Sequence, residues 1–190
     1  MILETERLIL RNFMESDLED YWEYVQMESV GPRAGWPAYT DKEKARERLL
    51  FETTQQHQFA LVLKEENKVI GSVELMDCKQ DRYSNLEIEE GAKEIGAVLS
   101  EKYWGKGYMP EAVKELMRYA FIDLGVQVIY CGHAKANNNS ARLQDKCGFK
   151  IIGELPNYRE WVDGTVTSLV ERRMTAEEYQ ELMKKQVKSL

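Results

Sequence analysis

Residues 95–124 constrain the fold more than any other stretch of this chain. An apolar run, Ile95-Gly96-Ala97-Val98-Leu99, leads into Tyr103-Trp-Gly-Lys-Gly-Tyr-Met-Pro-Glu111, and an amphipathic segment follows. Strand, glycine loop and helix in that order present bare backbone N–H groups to an anion. Gly105 and Gly107 have no Cβ to obstruct a phosphate and adopt positive φ readily. Lys102 and Lys106 add positive charge, and Pro110 suits a first helical position. A Walker loop requires Gly-x4-Gly-Lys-Ser/Thr, and no such string occurs. A dinucleotide fingerprint requires Gly-x-Gly-x-x-Gly, but Pro110 stands where the third glycine belongs. The acidic residue expected about 20 positions on, at a strand end, is also missing. Taken alone, the loop is equally readable as an ordinary turn.

Periodicity and capping signals place the other elements. Residues 7–11 read as a strand, and Ser16-Asp-Leu-Glu19 as a capping box opening a helix with Leu18, Tyr21, Trp22 and Val25 on one face. Residues 31–39 read as a loop rich in Gly, Pro and aromatics. Thr40-Asp-Lys-Glu43 is a second capping box, for a helix to about Gln55. Residues 58–63 and 68–76 form a hairpin turning at Glu66-Asn67. Residues 86–89 and 94–99 are strand candidates. Residues 110–124 are helical, with Ala112, Val113, Leu116, Met117, Ala120, Phe121 and Leu124 as a core stripe. A strand at 126–131, a short helix at 140–147 ended by Gly148, and strands at 150–153 and 165–171 follow. Thr175-Ala-Glu-Glu178 is a third capping box, opening a C-terminal helix. The order is mixed α/β, with one βαβ crossover around the glycine loop.

At 190 residues the chain reads as one domain with room for a substantial core. Its longest apolar run, residues 59–63, is far too short to cross a membrane. Glu4 and Glu6 argue against a signal peptide. Cys78, Cys131 and Cys147 are an odd, scattered set without a Cys-x-x-Cys, which points to reduced thiols in a cytoplasm. Cys131-Gly-His133 places a thiol and an imidazole on one side of a strand; with two histidines in the chain, packing explains them better than a metal. A net charge of −7 argues against nucleic acid as a general partner.

A second constellation lies downstream: Asn137-Asn-Asn-Ser140-Ala-Arg-Leu-Gln-Asp-Lys-Cys-Gly148-Phe149. Together the two motifs resemble the GNAT acetyltransferase superfamily, most closely its RimJ/RimL-type ribosomal-protein N-terminal acetyltransferases. The matching residues are Glu94-Ile95-Gly96, Tyr103 to Tyr108, Glu111-Ala112, Asn137 with Ser140, and Lys146-Cys147-Gly148-Phe149. Thr5-Glu-Arg-Leu-Ile-Leu-Arg11 is similar to that branch's first strand, and Trp161-Val-Asp-Gly164 to its late turn.

The resemblance implies a central twisted mixed β-sheet flanked by helices, with two parallel strands, here 94–99 and 126–131, splayed around the pantetheine arm. It implies transfer of acetyl from acetyl-CoA to a primary amine by direct attack in a ternary complex, with no metal. Backbone groups of Ala97, Val98 and Leu99 would take the pantetheine amides and polarise the thioester carbonyl. N–H groups from Lys102 to Gly107, among them those of Gly105 and Lys106, would hold the pyrophosphate at the helix mouth, with Trp104 and Tyr108 as further coenzyme contacts and Arg142 a further basic candidate. Asn137 would contact the pantetheine and Ser140 the sulfur; a helix cap is the competing job for either residue. Many relatives carry a tyrosine acid at the position of Gln144. Its absence is tolerable because a thiol of pKa about 8.5 leaves as thiolate with modest help.

Glu94 would be the base, acting through a water; the competing assignment is an exposed strand-end carboxylate among Glu87, Glu89 and Glu90. An α-amine of pKa about 7.8 is disfavoured by only about 1 kcal/mol at pH 7, and a lysine by about 5. A site with few catalytic groups therefore suits an α-amine or small amine better than a lysine side chain. Trp36, Pro37, Tyr39, Tyr158, Arg159 and Trp161 would line the acceptor pocket. Similar members acetylate ribosomal proteins, antibiotics, polyamines and amino-acid analogues, so a protein N-terminus and a small molecule both stay open, as do monomer and homodimer. A non-catalytic acyl-CoA-binding module and a nucleotide-binding oxidoreductase are the alternatives from other classes.

Overall fold

The sheet order follows from which apolar strands can lie side by side. The computed structural model describes residues 1–80, 83, 87–160 and 165–187. Its strands are β1 (Ile2–Glu4), β2 (Leu8–Arg11), β3 (Gln58–Leu63), β4 (Lys68–Asp77), β5 (Lys93–Leu99), β6 (Val128–Ala134), β7 (Lys150–Glu160) and β8 (Val166–Thr175). They form one mixed sheet in the order β1-β2-β3-β4-β5-β6-β8-β7. The pair β5–β6 is parallel, with Lys93 opposite Ile129 and Glu94 opposite Tyr130. A parallel pair needs a crossover, and the segment after the glycine loop supplies it. Two compact units divide the chain: Met1–Leu75 with Gly96–Leu116, and Met76–Ile95 with Met117–Leu190.

The first unit carries helices α1 (Leu18–Val25), α2 (Gly31–Ala34) and α3 (Lys42–Thr53) and the start of α4 (Tyr108–Arg118). Tyr21, Tyr24 and Val25 of α1 and Ala45 and Leu49 of α3 share a core with Ala60, Val62 and Val69 of the sheet. Asp17 joins β2 to α1: both oxygens accept from the Arg11 guanidinium, at 2.7 and 2.8 Å, and one accepts from the Met14 N–H. Ser16 does not cap α1: it lies inside a 3-10 turn, Glu15–Asp17, and α1 continues from Asp17 without a side-chain cap. At α3 the cap is Asp41, accepting from the Glu43 N–H at 2.9 Å, where the sequence pointed to Thr40. The loop expected at 31–39 contains α2. The hairpin turns as expected, with Asn67 at a φ of 48°.

The second unit holds α5 (Asn138–Cys147) and α6 (Ala176–Val187) beside β6, β7 and β8. Val128 and Tyr130 pack there with Tyr83 and Ala92. The third capping box forms in full: the Thr175 N–H donates to Glu178 Oε2 at 3.0 Å, and the Glu178 N–H to Thr175 Oγ1 at 3.2 Å.

Three expectations need correction. Glu87, Ile88 and Glu89 are irregular rather than strand, and Leu86 lies outside the described residues. Pro110 is the third residue of α4, not the first, because the Gly107 carbonyl already accepts the Glu111 N–H at 3.3 Å. Leu124 leaves the core stripe. After Arg118 the helix widens into a π-turn over Tyr119–Asp123, which rotates the following positions. Tyr119 is buried, whereas Ile122 and Leu124 are exposed. The Val126 N–H closes that turn on the Ala120 carbonyl, so the next strand starts at Val128.

Removing one half of the α6 box should be visible in stability. Thr175→Ala should cost about 1 kcal/mol and lower Tm by roughly 2–4 °C. Thermal unfolding followed by circular dichroism checks this; an unchanged Tm would make the box dispensable.

Candidate active site

The glycine loop belongs to the first unit and is built from both of its ends. On the approach, Gly71 of β4 lets the backbone of β5 come close. A Cβ there would sit 2.2 Å from the Val98 carbonyl oxygen. The Ser100 N–H then donates to the Ile70 carbonyl at 2.9 Å. The Leu99 carbonyl is already engaged, accepting from the Trp104 indole N–H at 2.8 Å. Trp104 packs on the first unit's core as Val98 does, so it is as much a structural as a surface residue.

Gly105 and Gly107 adopt φ of 77° and 84°. A side chain at either position would be strained. No atom lies within 4 Å of where a Cβ on Gly105 would project. The backbone at Gly105 is therefore bare, and the loop opens the N-terminus of α4, where the first N–H groups have no intrahelical acceptor.

Opposite the loop, Glu111 collects donors. Its Oε1 accepts from the Thr5 hydroxyl at 2.5 Å and the Arg7 N–H at 2.9 Å, and its Oε2 from Arg7 Nε at 2.7 Å. Burial pushes this carboxyl up, but the Thr5 and Arg7 donors outweigh burial and hold it below the usual carboxylate range. Arg7 Nη1 also donates to the Lys106 carbonyl at 3.1 Å, and its guanidinium lies 4.5 Å from the centre of the Tyr108 ring. Thr5, Arg7 and Glu111 were legible only as motif residues. A threonine and arginine two apart, with an acid in the first turn after the loop, were the available signal.

Lys102 is ion-paired with Glu23, which also accepts from Lys68. The hydrogen bond from Lys102, then that from Lys68, holds Glu23 below the usual carboxylate range. Lys102 is 58% exposed, so the pair is worth about 0–1 kcal/mol and exchanges partners at little cost. Lys106 is exposed, its Nζ 5.1 Å from the centre of the Tyr103 ring.

Trp36 and Tyr39 come together in the first unit, edge to face at 5.7 Å between ring centres, packed on its core. Burial raises the Tyr39 hydroxyl, with the nearby Arg48 opposing it and Glu52 adding to it. Pro37 is exposed.

In the second unit Glu94 is only 3% exposed. It is therefore not an exposed strand-end carboxylate. It lies opposite Tyr130, whose hydroxyl donates to Glu89 and is pushed up to about 12 by burial and then by that carboxylate. Asn137 caps α5: its Oδ1 accepts from the Ser140 N–H at 3.2 Å, which ties the two residues together and leaves the Asn137 amide NH₂ and the Ser140 hydroxyl outside this bond. Gln144 donates to the Gly132 carbonyl at 3.2 Å, a packing role that supplies no acid. Cys131 and His133 are both buried in β6, and burial raises the thiol and lowers the imidazole. Among the described residues no three His, Cys, Asp or Glu side chains gather into a cation site. Arg142 is exposed on α5, Tyr158 is half-buried in β7, and Trp161 lies outside the described residues. The backbone of Arg159 pairs with Thr167.

Residues 7–150 match the acetyltransferase (GNAT) domain family. An uncharacterized N-acetyltransferase p20 of Bacillus licheniformis is 29% identical over 163 residues, covering 83% of this chain and 87% of that protein. A GNAT-family acetyltransferase from Bacillus anthracis has a similar fold, with a TM-score of 0.81 at 24% identity over 94% of this chain and all of that one. Ribosomal-protein-S5-alanine acetyltransferase from Vibrio fischeri superposes with a TM-score of 0.72 at 22% identity, covering 94% and 98% of the two chains.

The Glu111 clamp should titrate. Its folded carboxyl lies below its unfolded value, so its stabilisation is complete above the unfolded pKa and is lost as pH falls through the folded one. From about pH 5 to pH 3, the Tm of the native chain should therefore drop more steeply than that of Glu111→Gln. Parallel Tm–pH curves would show that the clamp contributes nothing.

Proposed function

Because the chain belongs to the GNAT acetyltransferase family, we propose that it moves the acetyl group of acetyl-CoA to a protein α-amine or a small primary amine by direct attack. The observation that carries this is the bare backbone of Gly105 and Gly107, both at positive φ, at the mouth of α4. The Tyr103 and Trp104 N–H groups already donate to the Ser100 and Glu101 carbonyls, so the N–H groups of Gly105, Lys106, Gly107 and Tyr108 hold the pyrophosphate, and Lys102 leaves Glu23 to meet it. Backbone groups of Ala97, Val98 and Leu99 hold the pantetheine amides. Of these, the Leu99 carbonyl is committed to Trp104, so Leu99 contributes through its N–H.

Glu94 takes the proton from the acceptor ammonium through a water. The amine nitrogen attacks the thioester carbon, the C–S bond breaks as the nitrogen releases its second proton to bulk water, and the thiolate leaves accepting a hydrogen bond from the Ser140 hydroxyl. Asn137 contributes its amide NH₂ to the pantetheine while its oxygen caps α5. Trp36, Tyr39 and Tyr158 are assigned to the acceptor on the family resemblance; Trp161, assigned with them, lies outside the described residues. Positioning supplies most of the rate, since oriented pairs reach effective molarities of about 10⁵ M or more. Few polar groups handle protons, so acceptors that are substantially neutral at pH 7 are favoured, and an α-amine starts about 4 kcal/mol ahead of a lysine.

A panel of N-terminal peptides, polyamines and small amines with acetyl-CoA, read by mass, tests the assignment. A mass gain of one acetyl group in place of one hydrogen is expected on an amine of low pKa. Coenzyme binding without transfer to any amine would leave only an acyl-CoA-binding module.

Two variants separate binding from chemistry. Gly107→Val should weaken acetyl-CoA by about tenfold or more in a calorimetric titration, because a β-branched residue resists positive φ and obstructs the phosphate. Unchanged affinity in the folded variant would give the loop another role. Glu94→Gln should lower kcat by about 10²-fold with little change in coenzyme KM, most for amines of high pKa, and partly recover at high pH. Near-normal kcat on a high-pKa amine at pH 7 would remove Glu94 from the chemistry.

A further inference from the structure

Arg7 has no part in the contacts proposed above, yet its guanidinium spans the junction of loop and helix. It meets the Lys106 carbonyl, the Tyr108 ring and the Glu111 carboxylate. A Cβ on Gly107 would sit 3.4 Å from its Nη2. All these groups lie in the first unit.

The Lys106 carbonyl and the Gly107 N–H belong to one trans peptide plane and point in opposite directions. Holding that carbonyl at Arg7 turns the Gly107 N–H away from the guanidinium. Two glycines at positive φ leave this peptide free to rotate unless something holds it. A loop that must be ordered on binding loses affinity for that reason. Arg7 is itself held: Nε and Nη2 meet Glu111 Oε2 at 2.7 and 2.6 Å, and its own N–H is bound to Oε1. Glu111 neutralises its charge and occupies that edge of the fork. A direct ionic contact from Arg7 to phosphate is correspondingly weakened.

We infer that Arg7, locked by Glu111, is a positioning residue for the coenzyme: it fixes the Lys106–Gly107 peptide so that the Gly107 N–H faces the pyrophosphate, an assignment that rests on the acetyl-CoA activity proposed above. Thr5 completes the lock through its hydroxyl bond to Glu111. The consequence is selective. The clamp matters for thioesters that carry a pyrophosphate and not for those that lack one.

The test compares acetyl-CoA with S-acetylpantetheine, which has the same thioester arm without pyrophosphate or nucleotide. Arg7→Gln, Arg7→Lys and Glu111→Gln are assayed as full-length chains at a temperature where each is folded. For each variant KM for acetyl-CoA should rise roughly 10- to 100-fold, the usual effect of losing a charge-assisted bond. On S-acetylpantetheine kcat/KM should stay within about threefold of the native value. Lysine should not rescue, because it keeps the charge but lacks the planar fork. Equal losses on the two thioesters would mean general damage, and full rescue by lysine would mean that charge alone suffices; either overturns the clamp. A native chain that binds acetyl-CoA, beside variants that bind it equally well, overturns the clamp and leaves the activity standing. A native chain that does not bind acetyl-CoA in a calorimetric titration overturns both. If Arg7→Gln fails to fold, Arg7→Lys and Glu111→Gln decide the matter.

Discussion

The Glu111 carboxylate is the constraint on which the loop depends. It sits in the first turn of α4, where a negative charge complements the exposed N–H groups of the helix. It accepts from Thr5 and twice from Arg7, residues more than a hundred positions away in the chain. Neutral hydrogen bonds contribute about 0.5–1.5 kcal/mol each and those to a charged group about 1.5–3, so this one carboxylate outweighs any exposed ion pair nearby. It also decides what the loop can do. Two glycines at positive φ make a flexible connection, and a flexible connection is a poor anion site. Tying the helix end and the Lys106 carbonyl to one arginine gives that connection a direction.

The charges around the loop fall into two kinds. Lys102 and Lys68 share Glu23 near the surface, where water screens the attraction and partners exchange easily. Glu94 is shielded from water in β5. The difference matters in a chain with a net charge of −7, where anion binding has to come from backbone N–H groups and a few local cations rather than from the overall field.

Where a cap is followed by a partner already in reach, the sequence signal and the structure coincide. Thr175 and Glu178 exchange bonds within one turn. Where a distant residue competes, the signal slips. Arg11 pairs with Asp17, and the chain enters α1 through a 3-10 turn over Glu15–Asp17, so the cap expected at Ser16 does not form. Asn137 caps α5 through the Ser140 N–H, again a bond within one turn. The π-turn at Tyr119 has no signature in a pattern of apolar residues, because a widened turn is set by how the helix meets its neighbours. That is why Leu124 was expected inside and is outside.

Local chemistry alone determined the strand–loop–helix order, the glycine positions and the hairpin at Asn67, since each depends on residues within a few positions of one another. Paired motifs in order also sufficed for the family, now supported by a match over residues 7–150. Tertiary structure decided the rest. It buried Glu94, which a string of acids near the strand start made look exposed. It committed the Leu99 carbonyl to Trp104 and Lys102 to Glu23. It brought Thr5 and Arg7 to Glu111, a meeting that no spacing encodes. Burial and hydrogen-bond competition depend on what approaches from elsewhere in the chain, and that information exists only once the strands have paired.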